Sequence, residues 1–370
     1  MLSMIVLLLL SIIFTYTNDM YLKKFIFIVT IIKIFISIIL FQHYNYNIFS
    51  IFSDQYEYME RATTIYNSDN PFDTYGNISH YLYIFMITVL LNIYNNISFA
   101  ILDLTIAQCL ASILTHIYIY KLIKLFIINN KKVFYISMIS LVFLTLYSYN
   151  IFIIRDSWYF LFFIMSIFYI LKFKITNNYK YLFITGISLI MLLQMRFFSA
   201  MFFIVAYNIA FSKSKSKTLI LFIITFLLFI VTFSLFYNMS IIEGYLSRLL
   251  DIETLKEFLL YNIEGFFNLS FMRFGDYNIV FKMIRFLIPE TLFVVIATYY
   301  YFKLKSNRLD ILDTALKFII ILTFFHISTY FFYSAAEWKI RQAGILSLAY
   351  VIFVAIKFVS LKETRKGIVI

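Results

Sequence analysis

The stretch YLYIFMITVLLNIYNNISFAILDLTIAQCLASILTHIYIYKLIK, residues 81–124, decides how the rest of the chain is read. It holds two apolar segments, Tyr81–Tyr94 and Ile97–Tyr120. A helix needs about 20 apolar residues to cross roughly 30 Å of hydrocarbon, although several segments read below as spans are shorter. If both crossed, Lys121, Lys124, Lys131 and Lys132 would share a side with the acidic stretch before them, against every later lysine cluster. Cytoplasmic loops carry the excess of lysine and arginine. Tyr81–Tyr94 is therefore read as an interfacial helix and Ile97–Tyr120 as a span, and all the basic clusters then agree.

Working outward, composition sets the class. The chain has 370 residues, 63% hydrophobic and 14% charged; a soluble domain carries about 25% charged residues. With a mean hydropathy of +0.89, this is the composition of a polytopic membrane protein. The net charge of +12 lies mostly in short clusters between apolar runs, which is membrane sidedness and needs no nucleic acid. A lone Cys109 excludes an internal disulfide or a cysteine metal cluster. His43, His80, His116 and His326 are scattered, so no multi-histidine metal site is expected. Richness in Ile, Phe, Tyr, Asn and Lys has the look of a coding bias, so single aromatics carry little weight.

Met1–Tyr16 has no basic n-region and no small-residue cleavage site, and reads as a retained first helix. Phe25–Phe41 is the second span. After Ile97–Tyr120 come Val133–Ile153, Ser157–Leu171, Tyr181–Gln194, Phe198–Phe211, Thr218–Tyr237, Phe286–Phe302, Ala315–Phe332 and Gly344–Val359. The expected fold is an all-α polytopic membrane protein, one integral-membrane domain over residues 1–370 with about eleven transmembrane helices. The N-terminus is outside and the C-terminus inside. Inside loops then hold Lys172, Lys174 and Lys180, the SKSKSK lysines 213, 215 and 217, then Lys303, Lys305 and Arg308, and finally Lys357, Lys362, Arg365 and Lys366. Two large extracytoplasmic loops remain, 43–96 and 238–285. No soluble domain stands out, and no repeat is strong enough to suggest an inverted-repeat transporter.

The first loop begins HYNYNIFSIFSDQYEYMERATTIYNSDNPFDTYGNISH, residues 43–80. It carries Asp54, Glu57, Glu60, Asp69 and Asp73 but, histidines aside, only Arg61 as a base. A loop this long with no clear secondary structure is uncommon unless functional or disordered. Its aromatics argue against disorder, so it reads as a folded acidic cap. Charges at membrane depth are the informative ones, since each costs about 2.5–3.5 kcal/mol at a span centre. Arg155-Asp156, in IFIIRDSWYFLFF, is either a turn with a self-neutralising pair or the floor of a site, with Arg155 binding an anion such as a lipid phosphate. Arg196 either snorkels to headgroups or joins that site. Glu290 after Pro289 is a helix-start carboxylate or a site group. Arg341, in Glu337-Trp338-Lys339-Ile340-Arg341, belongs to an interfacial anchor or to the site. Lys33 lies mid-span facing the bundle, with no partner to name. Asp103 and His116 lie toward the two ends of one span. Asp54, Glu57, Arg155, Asp156, Arg196, Glu290 and Arg341 all fall on or near one face, and Arg248 lies in the second loop. Acids that take a proton from a hydroxyl, beside arginines that hold a phosphate, suit glycosyl transfer from a lipid-phosphate sugar.

The ordered pattern resembles the membrane-embedded GT-C glycosyltransferases, the polyprenyl-phosphate-sugar-dependent class, and in particular bacterial polysaccharide-assembly members. Ser53-Asp54-Gln55-Tyr56-Glu57-Tyr58 looks like the family's first external loop. Tyr81–Tyr94 followed by Ile97–Tyr120 looks like its surface helix and long span. Tyr147–Asp156 is similar to its Tyr-rich turn with an Arg-Asp pair, Pro289-Glu290 to its Pro and acid opening a late span, and Trp338-Lys339-Ile340-Arg341 to its basic turn before the last helix. The resemblance is diffuse, covers nearly the whole chain, and departs from the family in an extra N-terminal helix. It implies Asp54 as general base or acceptor-orienting acid, with Glu57 as the second catalytic candidate; the bland reading of Asp54 is a cap or a partner for Arg61. It implies Arg155, Arg196 and Arg341 as holders of the donor phosphate, with Asp156, Arg248 and Glu290 also binding substrate. No cofactor is predicted, and use of a divalent metal stays open. The implied partners are an undecaprenyl-linked glycan donor and acceptor, the lipid bilayer and a chain-length regulator protein, with no nucleic acid. The expected activity is that of an O-antigen or capsule repeat-unit polymerase, moving a glycan from undecaprenyl diphosphate to an acceptor sugar hydroxyl on the outer face of a bacterial inner membrane. The alternatives are a GT-C transferase adding one sugar from a polyprenyl monophosphate, a lipid-linked oligosaccharide flippase, and a noncatalytic scaffold.

Overall fold

The computed structural model describes residues 2–43, 53–68, 81–143, 156–212, 253, 256, 289–303, 310–328 and 336–365. Among these the protein is all-α, with twelve α-helices and no strand. They are α1 (Leu2–Tyr16), α2 (Met20–His43), α3 (Ser53–Tyr66), α4 (Tyr81–Tyr94), α5 (Ile97–Lys124), α6 (Asn130–Met138), α7 (Asp156–Thr176), α8 (Tyr179–Met195), α9 (Phe197–Phe211), α10 (Pro289–Lys303), α11 (Asp310–Ser328) and α12 (Ala336–Arg365).

Asparagine marks the junctions. Asn95 and Asn177 take left-handed backbone, with φ of 47° and 51°, a region asparagine enters more readily than most residues. The asparagine that follows each one caps the next helix. Asn96 Oδ1 accepts from the Ser98 and Phe99 N–H groups, and Asn178 Oδ1 from the Lys180 N–H at 3.0 Å. Each Asn-Asn pair thus stops one helix and starts another, giving the tight hairpins α4–α5 and α7–α8.

The chain divides into two compact units, Met1–Leu141 with Leu146–Phe197, and Val142–Thr145 with Phe198–Ile370. In the first, α5 is the hub, packed against α1, α2, α4, α6 and α7. Two contacts per pair fix the directions. Phe25 meets Tyr120 while Lys33 meets Ser112, so α2 runs antiparallel to α5. Gln108 meets Tyr83 while Phe99 meets Tyr94, so α4 runs antiparallel along the first half of α5. Tyr118 meets Phe168 and Tyr169, deep in α7. Two acids tie the ends together, Asp103 buried and Asp19 partly so. Asp103 of α5 accepts the Leu2 and Ser3 N–H groups at 2.8 and 3.0 Å, capping α1 from a neighbouring helix. Asp19 accepts the Tyr21 and Leu22 N–H groups at the start of α2, and its other oxygen takes the Tyr120 hydroxyl at 3.0 Å and the Lys124 ammonium at 2.6 Å. In the second unit α10 and α11 pack against α12, and α9 meets α11 through Phe203–Phe318 and Phe202–Phe325.

Most expected segments appear as helices, Tyr81–Tyr94 with identical bounds. Three differ. Ser53–Tyr66, inside the loop read without clear secondary structure, is helix α3. Tyr58, Ala62 and Ile65 recur at helical spacing and are buried, while Glu57 and Arg61 pair at 2.6 Å on the exposed side. Within the segment Val133–Ile153, α6 stops at Met138 and passes into a 3-10 turn, Ile139–Val142. The segment Thr218–Tyr237 lies outside the described residues, as does the second loop apart from Glu253 and Lys256, both exposed. Two described helices, α5 and α7, are long and apolar enough by length and composition to cross a membrane. Several others are apolar but shorter, among them α1 and α8. The outward faces of α1, α2 and α8 are themselves apolar: Met4, Leu8, Phe27, Phe35, Phe183 and Ile190 are each more than half exposed.

Candidate functional site

The α7–α8 hairpin folds the start of one helix onto the end of the other. Asp156 stands in the first turn of α7, fully buried. Arg196 closes α8 with extended backbone, its N–H donating to the Leu192 carbonyl at 2.7 Å. Its Nη2 donates to Asp156 Oδ1 at 2.5 Å, with side chains only 3% and 0% exposed. Each charge occupies the helix end that favours it, the carboxylate at a positive N-terminus and the guanidinium at a negative C-terminus. The guanidinium also lies over the Tyr159 ring, 5.1 Å from its centroid.

Three further helices meet at Tyr83, beside this pair. Tyr83 of α4 is fully buried, accepts a hydrogen bond from Gln108 Nε2 of α5, and lies within electrostatic range of Asp156. Tyr58 of α3 packs edge-on against Tyr83 at 5.3 Å. Gln108 is eleven residues into α5, about 16 Å from its start at the usual helical rise. The site is therefore sunk well below the α4–α5 turn. Beside Asp156 the Trp158 indole N–H is buried and meets no hydrogen-bond acceptor among the described residues, an arrangement that normally calls for explanation in a folded protein.

The expected site residues divide as follows. Asp156 and Arg196 come together, and Arg196 is buried in an ion pair instead of snorkelling outward. Glu57 sits on α3, one residue from Tyr58, half-exposed and bridged to Arg61. Asp54 lies in the first turn of the same helix, its side chain outside the described set. Glu290 and Arg341 lie in helical backbone of the second unit, at the starts of α10 and α12, and their side chains are likewise outside it. Arg155 and Arg248 lie outside the described residues altogether. Lys33 gains the partner that could not be named: its ammonium donates to the Ser112 hydroxyl, and both are buried. The ring of His116 is buried too, held by the Ser112 carbonyl at 2.9 Å. Asp103 and His116 are both buried within the first unit. Among the described residues no three His, Cys, Asp or Glu side chains converge as a metal site.

Sequence reasoning missed Tyr58, Tyr83, Gln108, Trp158 and Tyr159. Gln108 carried a signal, being an amide near the middle of an apolar 28-residue helix. The tyrosines carried none, because 31 tyrosines in one chain dilute each of them. No family model, curated protein or solved structure matches the chain.

Proposed function

We propose that this chain is a multi-pass membrane glycosyltransferase of GT-C type, a polysaccharide repeat-unit polymerase drawing on an undecaprenyl diphosphate-linked glycan. The observation that supports it best is the buried Asp156–Arg196 pair. Burying two charges costs several kcal/mol, and well-packed apolar residues often serve stability as well or better. A pair placed there is better explained by a polar ligand than by stability. The apolar outward faces of α1, α2 and α8 support the bilayer as surroundings. With α5 crossing, α4 lies antiparallel along its first half, so it is read here as a re-entrant segment in place of the expected interfacial helix, which keeps the parity that the lysine clusters ask for. About eleven spans then follow, with the site opening outward.

In this reading Arg196, with Arg155, donates hydrogen bonds to the donor's phosphate oxygens while Asp156 orients Arg196. Asp54 or Glu57 takes the proton from the acceptor hydroxyl. The acceptor oxygen bonds to the anomeric carbon, the anomeric carbon–phosphate oxygen bond breaks, and undecaprenyl diphosphate leaves with the bonding electrons.

Complementation of a strain lacking this gene, with surface polysaccharide resolved on a gel, tests the reading. Asp54→Asn, Arg155→Ala and Arg196→Lys, expressed at wild-type level, should each collapse the ladder to a single repeat unit. A full ladder from all three would end it. A one-sugar increment in place of a ladder would mark a single-sugar transferase. A flippase is the second reading, favoured by Lys33 buried halfway along α2. It predicts loss of all surface glycan in Lys33→Met, with lipid-linked intermediates held inside.

A further inference from the structure

At the other end of the first unit, away from Asp156, lysines gather. Lys121 and Lys124 close α5, Lys131 and Lys132 open α6, Lys172 and Lys174 close α7, and Lys180 opens α8. The acid described at this end, Asp19, is already engaged by Lys124, Tyr120 and the start of α2. Two of the lysines lie over rings of one shared cluster. The Lys121 ammonium lies 5.2 Å from the Tyr118 ring centroid. The Lys172 ammonium lies 4.3 Å from the centroid of Tyr181 and 5.5 Å from that of Phe168. These rings form one cluster where α5, α7 and α8 meet. The Tyr118 and Tyr169 hydroxyls are 3.0 Å apart, Tyr118 meets Phe168 edge-on, and Tyr169 stacks on Tyr181.

Both lysines are half-buried, they lie over rings that touch one another, and neither meets a carboxylate among the described residues. Two like charges held together and partly dried are unfavourable unless an anion joins them. The aromatic faces relieve only part of that cost. We propose that Lys121 and Lys172, on the Tyr118–Phe168–Tyr169–Tyr181 cluster, bind the phosphate of an anionic phospholipid headgroup. The source of the phosphate follows from position. The site lies at the ends of the two helices long and apolar enough to span, where headgroups stand. Tyrosine is the residue enriched at that level. Phe183, exposed on α8 two residues beyond Tyr181, offers an acyl chain an apolar wall. The proposal rests on the membrane reading and is independent of glycosyl transfer.

The test uses full-length protein purified in mild detergent, with bound lipid read by native mass spectrometry after adding phosphatidylglycerol or phosphatidylcholine. Wild type should retain phosphatidylglycerol over phosphatidylcholine. Lys121→Gln with Lys172→Gln should lower that retention by about tenfold or more, as two headgroup-facing lysines lost together imply. Lys131→Gln with Lys132→Gln, equal in charge removed but off the ring cluster, should stay near wild type. Lys121→Arg with Lys172→Arg should restore binding, which separates charge from misfolding. Equal retention of the two lipids, equal loss in both glutamine pairs, or full thermal protection by inorganic phosphate without lipid would each overturn the proposal. A chain that stays soluble without detergent would instead remove the membrane reading, a result distinct from failure of this site.

Discussion

Removing one partner of the Asp156–Arg196 pair is the sharpest perturbation the structure offers. Arg196→Met keeps much of the length of the side chain and removes the charge. It leaves the Asp156 carboxylate, fully buried, without the guanidinium 2.5 Å away. Breaking such a pair from one side costs about 3–5 kcal/mol, because the remaining charge is stranded in low dielectric. Loss of the guanidinium from the Tyr159 face adds about 0.5–2 kcal/mol. Asp156→Leu alone should cost a similar amount for the same reason. The double variant Asp156→Leu/Arg196→Met strands neither charge, so it should recover most of the loss. The assay is equilibrium unfolding in mixed micelles on all four proteins, followed by the polysaccharide ladder in the complemented strain. The expected pattern is two unstable singles, a near wild-type double, and no ladder from any of the three. Singles that each cost less than about 1 kcal/mol would refute the buried-pair argument, since that is the scale of an exposed bridge. A stable double that still makes a full ladder would assign the pair to structure alone.

Other consequences follow from single contacts. Glu57 and Arg61 form an exposed pair one helical turn apart, so Glu57→Gln should lower stability by no more than about 0.5 kcal/mol; loss of the ladder at an unchanged unfolding midpoint would then mark Glu57 as chemical, while a large drop in midpoint would contradict the packing. Asp103→Ala should cost about 1–2 kcal/mol by uncapping α1, read as faster hydrogen exchange at the Leu2 and Ser3 amides; unchanged exchange would refute the cap. For Asp19, burial opposes the charge, but the hydrogen bonds from Lys124, the Leu22 N–H and Tyr120 outweigh it and hold the carboxyl below the usual value of 3.8. Its contribution is therefore present above 3.8 and lost as the pH falls through the lower, folded value. Asp19→Asn should lower the unfolding midpoint at neutral pH and flatten its acid limb, and an unchanged acid limb would contradict this.

Much of the architecture was legible because it is local. The apolar runs named the helices, and Tyr81–Tyr94 came out with identical bounds because Asn95-Asn96 stops and restarts the chain within two residues. Helix α3 was missed because its buried face is Tyr58, Ala62 and Ile65, a weak stripe in a segment otherwise rich in charge and Tyr. The site was legible in part. Asp156 and Arg196 were singled out as costly charges, yet Asp156 stands next to Arg155 in sequence and forty residues from the arginine it meets.

What the sequence determined alone was the class of chain, the places where helices begin and end, and the end of the bundle on which lysine collects. Hydropathy, capping and charge clustering act over one or two turns, so they survive without knowledge of packing. Only the tertiary structure decided who meets whom. Asp103 caps a helix a hundred residues earlier, Lys33 reaches a hydroxyl seventy-nine residues later, and Tyr83 comes to rest beside Gln108. Those pairings depend on the rotation and register of one helix against another. The packing of all the side chains between them sets both at once, and no single stretch of sequence contains it.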